Sequence, residues 1–129
     1  MKRLRALFVV LFSLVCFCST AIAQELRVVT LDKENDLLVS PSRIVLKPGD
    51  TLQFKSVNGD FAIYIADAVR YFDIDEADLE IRVDSATNPL SDVYVFRGND
   101  EVTDLTYSVY CITTNSWPDA PPRIIIVSQ

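Results

Sequence analysis

Arg43-Ile44-Val45-Leu46-Lys47-Pro48-Gly49-Asp50-Thr51-Leu52-Gln53-Phe54 sets two short apolar runs on either side of a turn. Pro48 presets φ, and Gly49 suits a turn position with positive φ, so Lys47–Asp50 is read as a turn. Beyond it Leu52 and Phe54 alternate with Gln53 and Lys55, which puts one apolar and one polar face on an extended strand. Further strand-like runs lie outward along the chain, at 26–31, 37–39, 61–66, 80–84, 92–97, 106–112 and 123–127. Asn58-Gly59-Asp60 is a second turn signal. Three prolines make Trp117–Pro122 irregular. The run after Arg123, Ile124-Ile125-Ile126-Val127, is apolar without interruption and suits burial on both sides or a central strand. Alternation fails only between 67 and 79, where 74–80 reads as a short helical insert with Asp73 or Asp75 as its cap. Eight or nine strands at intervals of about 8–15 residues predict an all-β sandwich or small barrel, with no crossover helices for a parallel α/β fold.

The front of the chain has the layout of a secretory signal peptide. Lys2, Arg3 and Arg5 precede an apolar run from Ala6 to Cys18, and Ala21-Ile22-Ala23 is a small-x-small cleavage site. The expected organisation is a signal peptide, 1–23, and one domain, 24–129, exported to the periplasm or secreted. The apolar run is shorter than the about 20 residues of a membrane span, so stable membrane insertion is not expected. An uncleaved anchor is the competing reading. Val15 and Phe17 precede Cys16 and Cys18 where an acylated cysteine prefers a small neighbour, which disfavours a lipid anchor.

Residues 24–129 carry 9 basic and 18 acidic side chains, a net charge of −9. Such a surface repels phosphate backbones, so nucleic acid is excluded as a general partner. The chain has no histidine, and its single methionine is Met1. Cys111 is the one cysteine after residue 23, so no disulfide forms within the processed chain. It reads either as a small core hydrophobe or as a reactive or intermolecular thiol. Without histidine no Ser-His-Asp or Cys-His catalytic arrangement can be assembled.

Three segments resemble the cupredoxin superfamily, the plastocyanin and azurin type of β-sandwich. Residues 43–54 resemble its early strand, Pro-Gly-Asp turn and following strand. Tyr107-Ser108-Val109-Tyr110-Cys111 resembles the strand that leads into the copper cysteine, and Arg123–Val127 resembles the closing strand. The resemblance implies a Greek-key sandwich over most of 25–128. It also implies copper, and there the chain departs from the pattern. Asn58-Gly59-Asp60-Phe61-Ala62-Ile63 stands where a copper histidine is expected, and Ile112-Thr113-Thr114-Asn115-Ser116-Trp117 follows Cys111 with neither histidine nor methionine. A type 1 site needs one thiolate and two imidazoles; Cys111 occupies a family position without a complete site.

The remaining candidates are weaker. Asp73–Glu80 is the densest acidic segment and reads as a solvated surface or, alternatively, a weak calcium site, although it lacks the EF-hand pattern. Trp117, in its Pro-rich connection beside Asn115 and Asp119, is placed either as a ligand or partner contact or folded down on the sandwich. Tyr71, with Phe72, has the same two readings. The expected role is a non-enzymatic, exported binding or interaction domain with no cofactor, its partner an unidentified protein or glycan. The alternative is a small carbohydrate- or calcium-associated module. Oligomeric state is not legible at this level. Elemental analysis of the purified protein is expected to find no stoichiometric copper; an intensely blue, copper-loaded protein would overturn that reading.

Overall fold

A computed structural model of the protein describes residues 24–99, 101–102 and 104–127. The signal segment expected at 1–23 lies outside the described residues. Ten strands follow in order: β1 (Leu26–Asp32), β2 (Val39–Ser40), β3 (Arg43–Leu46), β4 (Thr51–Asn58), β5 (Asp60–Ile65), β6 (Leu79–Asp84), β7 (Tyr94–Val95), β8 (Asp104–Thr106), β9 (Ser108–Cys111) and β10 (Arg123–Ile126). The all-β expectation holds.

One sheet has the order β2-β1-β4-β7; two others run β3-β10-β8 and β6-β5-β9. Only Tyr107 separates β8 from β9, so the second and third sheets meet along one run of chain. β1 lies parallel to β4, and β10 lies parallel to β3. Neither pair is a hairpin: each strand finds a neighbour distant in sequence, as a Greek-key sandwich requires. β10 sits between β3 and β8, the central position that its apolar run suggested.

The core lies between the layers and follows the period-two pattern of the strands. Leu52 and Phe54 of β4, Phe61, Ile63 and Ile65 of β5, and Leu79, Ile81 and Val83 of β6 all point inward and are buried. Phe54 meets Tyr107 edge-on at 5.7 Å, and Phe72 meets Phe96 at 5.8 Å, both within the range favoured by aromatic quadrupoles. Asn58-Gly59-Asp60 does not make a hairpin. It carries the chain from the sheet of β4 into the sheet of β5. Gly59 has φ 113°, and a Cβ there would stand 3.2 Å from the Phe61 ring and 3.3 Å from Lys33 Cβ, so backbone conformation and space both call for glycine.

The helical insert expected at 74–80 is not formed. Residues 74–78 are irregular and β6 begins at Leu79; the one short helical turn among the described residues is 3-10, at Ala68–Arg70. The reason is competition. A helix of two turns is marginal alone, whereas Leu79–Asp84 gains a full antiparallel register with β5, from Ile65↔Leu79 to Asp60↔Asp84. Asp78 is drawn into side-chain bonding instead, accepting from Asp67 N–H and Tyr64 O–H at 2.8 Å each. Asp73 and Asp75 cap nothing helical.

The Pro-Gly-Asp turn is present and has a further role. Asp50 is 1% exposed. Its carboxylate accepts the N–H of Lys47 across the turn and the N–H of Glu25 ahead of β1, both at 3.1 Å. Its own carbonyl accepts Phe96 N–H at 2.8 Å. One side chain thus ties the turn, the entry to β1 and the segment after β7. Asp50→Ala leaves two part-buried donors unpaired and is expected to lower stability by about 3 kcal/mol, read as a shifted midpoint in urea denaturation. An unchanged midpoint would show that water replaces the carboxylate.

Candidate ligand-binding face

Because β5 buries Phe61, Ile63 and Ile65, its other residues, Asp60, Ala62 and Tyr64, face outward. Antiparallel register extends each into a row across three strands. Glu80, Tyr64 and Ser108 form one row; Arg82, Ala62 and Tyr110 form the next. Ala62 and Ser108 are small, so the sheet dips between the larger side chains. The result is an open groove of about 440 Å³ lined by Tyr64, Glu80, Arg82, Ser108, Tyr110 and Trp117 over a floor that includes Ala62.

Trp117 reaches this groove through a tight reversal after β9. Cys111 and Ser116 exchange backbone hydrogen bonds of 2.9 and 3.1 Å. Asn115 sits at φ 52° in the left-handed region, which asparagine tolerates better than most residues. Thr113 Oγ1 accepts Asp60 N–H at 2.9 Å, and the Thr114 and Ser116 hydroxyls lie 2.6 Å apart. The loop therefore returns the chain beside β9, and the Trp117 ring packs on Tyr110 with centroids 4.7 Å apart at 51°. Trp117 nevertheless remains 64% exposed.

Charged groups frame the rings. Arg82 makes a forked pair with Asp60, Nε to Oδ1 at 3.2 Å and Nη2 to Oδ2 at 2.7 Å. That bond, opposed by slight burial, holds the Asp60 carboxyl below its ordinary range and raises the guanidinium. The Asp67 N–H and the Tyr64 hydroxyl lower Asp78, while the same bond to Asp78 raises Tyr64. Glu80 is exposed and, among the described residues, forms no ion pair.

The residues singled out from sequence separate here. Trp117 is on the surface, not folded into the sandwich. Asn115 and Asp119 are also exposed, and Asn115 shapes the loop. Tyr71 is not a surface contact: it is 5% exposed within the core, and Arg70 lies 6.0 Å over its ring. Tyr71 follows the 3-10 turn directly and Phe72 beside it is fully buried, so the pair anchors that turn inward. Cys111 pairs with Phe61 in the sheet and is fully buried, which removes the intermolecular disulfide and reactive-thiol readings for the folded protein. Its backbone N–H and carbonyl both bond to Ser116. The chain has no histidine to set beside Cys111, whereas a type 1 site takes two imidazoles. Among the described residues, no group of three or more Cys, Asp or Glu side chains is placed to hold a metal ion. Glu76, Asp78, Glu80 and Asp92 instead rim a separate polar depression of about 410 Å³.

Tyr64, Glu80, Arg82 and Tyr110 were not singled out as a group by sequence. The available signal was parity: placing Phe61, Ile63 and Ile65 inward already puts Tyr64 outward.

Neither a family model nor a curated protein matches the chain. Among solved structures it is similar to a reduced Cu(I) form, at pH 4, of an amicyanin variant, with 13% identity over 86% of this chain and 88% of that chain and a TM-score of 0.49. A second amicyanin variant with Cu(I) gives 16% identity, the same coverage of both chains and a TM-score of 0.45. A third gives 16% identity over 84% and 86%, with a TM-score of 0.46. The Cu(I) belongs to those proteins.

The two lowered carboxylates have a defined pH signature. Asp60 and Asp78 bind a proton less readily folded than unfolded, so their contribution is complete above the ordinary carboxylate range and is lost as pH falls through the lowered values. Asp78→Asn is therefore expected to flatten the fall in stability between about pH 6 and about pH 2. Denaturation midpoints across that range check it; parallel curves for variant and parent would refute it.

Proposed function

We propose that this protein is an exported, cupredoxin-like domain that binds a partner or ligand without catalysis and without type 1 copper. The observation that carries this reading is the outward cluster of Tyr64, Tyr110 and Trp117 on the β6-β5-β9 sheet. Exposed aromatic side chains gathered at a concave, partly polar surface are a common recognition device. The donor set around Cys111 supports the copper-free part, since a lone buried thiol offers neither imidazole nor an open coordination position. The absence of histidine also removes the usual general base. Support for export comes from the basic start, apolar run and small-x-small site of residues 1–23.

A photo-activatable phenylalanine analogue in place of Tyr64 tests the reading in extracts of the native compartment. Discrete adducts are expected from that position and not from the same analogue at Leu37, which is exposed in the turn between β1 and β2, away from the groove. Equal labelling from both positions, or none from Tyr64, would overturn it.

A further inference from the structure

We infer that the groove over Ala62 is a subsite for a neutral oligosaccharide; this rests on the binding reading above and names its ligand class. Three features of the surface converge on that chemistry.

The first is enforced exposure of apolar ring surface. A large apolar side chain gains about 1.5–3 kcal/mol on burial, yet Trp117 stands 64% exposed. The loop that presents it is closed by the paired Cys111–Ser116 backbone bonds, the Thr113 bond to Asp60 and the left-handed turn at Asn115. Tyr110 backs the indole at 4.7 Å, so the ring is presented already oriented. Tyr64, 39% exposed, offers a second ring across the dip. The C–H face of a pyranose is an apolar surface of matching kind and stacks on such rings.

The second is the polar inventory beside the rings. A sugar carries hydroxyls at its rim that donate and accept at once, and this groove offers both capacities. Arg82 spends Nε and Nη2 on Asp60, which leaves the two protons of Nη1 free for an acceptor. Glu80 offers carboxylate oxygens without an ion-pair partner among the described residues. Ser108, opposite Tyr64 in the same row, supplies a hydroxyl that can do either. Ala62 between these groups leaves the space that the ring would fill.

The third is charge. Arg82 is neutralised by Asp60, Glu80 is not neutralised, and residues 24–129 carry −9 overall. An acidic glycan or a second copy of the chain meets repulsion at this surface. A cationic peptide is not repelled; its binding would be salt-sensitive, and a neutral sugar's would not. A neutral sugar meets no repulsion, and the volume of about 440 Å³ falls within the range typical of ligand sites.

Trp117 is the only tryptophan of the chain, so its emission reports the groove alone. The purified protein is titrated separately with cellohexaose, with maltohexaose and with an arginine-rich peptide. Saturable change in Trp117 emission with at least one of the two oligosaccharides, insensitive to added salt, is expected. By calorimetry with that sugar, Trp117→Ala is expected to abolish binding and Tyr64→Ala to weaken it roughly tenfold. Both side chains are on the surface, so unchanged near-native circular dichroism confirms that the variants fold. No response to either sugar would overturn the inference, as would a salt-sensitive response to the peptide alone. In those cases discrete adducts from Tyr64 still support the broader binding reading, whereas their loss together with sugar silence removes both.

Discussion

The burial of one face of β5 is the constraint from which the rest of the surface follows. Phe61, Ile63 and Ile65 fill the space between the sheets, and the strand's pleat then leaves no choice for Asp60, Ala62 and Tyr64. A slip of one residue would put the Tyr64 ring and the Asp60 carboxylate into the core, so register is strongly specified. Pairing on both sides transmits that decision. β6 contributes Glu80 and Arg82 to the outer face, and β9 contributes Ser108 and Tyr110. The groove is a consequence of core packing, with a small residue, Ala62, at the place where the rows would otherwise be filled.

Acidic side chains are abundant but do different work according to where the fold leaves them. Asp50 is a buried structural acceptor for two backbone N–H groups. Asp78 and Asp60 orient Tyr64 and Arg82 at the edge of the groove. The pairs at the surface are solvent-screened and add little stability individually; their value lies in placing side chains. One group departs from this economy. The Tyr107 hydroxyl is buried without a hydrogen-bond partner in the described structure, and burial pushes its ionisation far up. Its ring, packed edge-on against Phe54, holds it at the junction of β8 and β9.

A sandwich of this kind can hold copper only when specific donors are grafted onto it. Cys111, at the end of β9, is fully buried opposite Phe61 and packs as a small apolar core residue. The loop that follows turns Trp117 back onto Tyr110.

Local chemistry sufficed for the strands and turns. Period-two alternation located β4 and β5, strand-rich runs pointed to β3, β6 and β10, and Lys47-Pro48-Gly49-Asp50 announced its turn, because these signals act over a few neighbouring residues. The absence of histidine is likewise a matter of composition. What composition and alternation could not supply is partnership across the chain. The parallel pairing of β1 with β4 and β3 with β10, the change of sheet at Gly59, and the victory of strand over helix at Leu79 all depend on contacts between distant residues. So does the face itself: Tyr64, Glu80, Arg82, Tyr110 and Trp117 are spread over more than fifty positions of sequence. Only register across three strands and a closed loop brings them to one groove, and only packing decides that Tyr71 goes inside while Trp117 stays out.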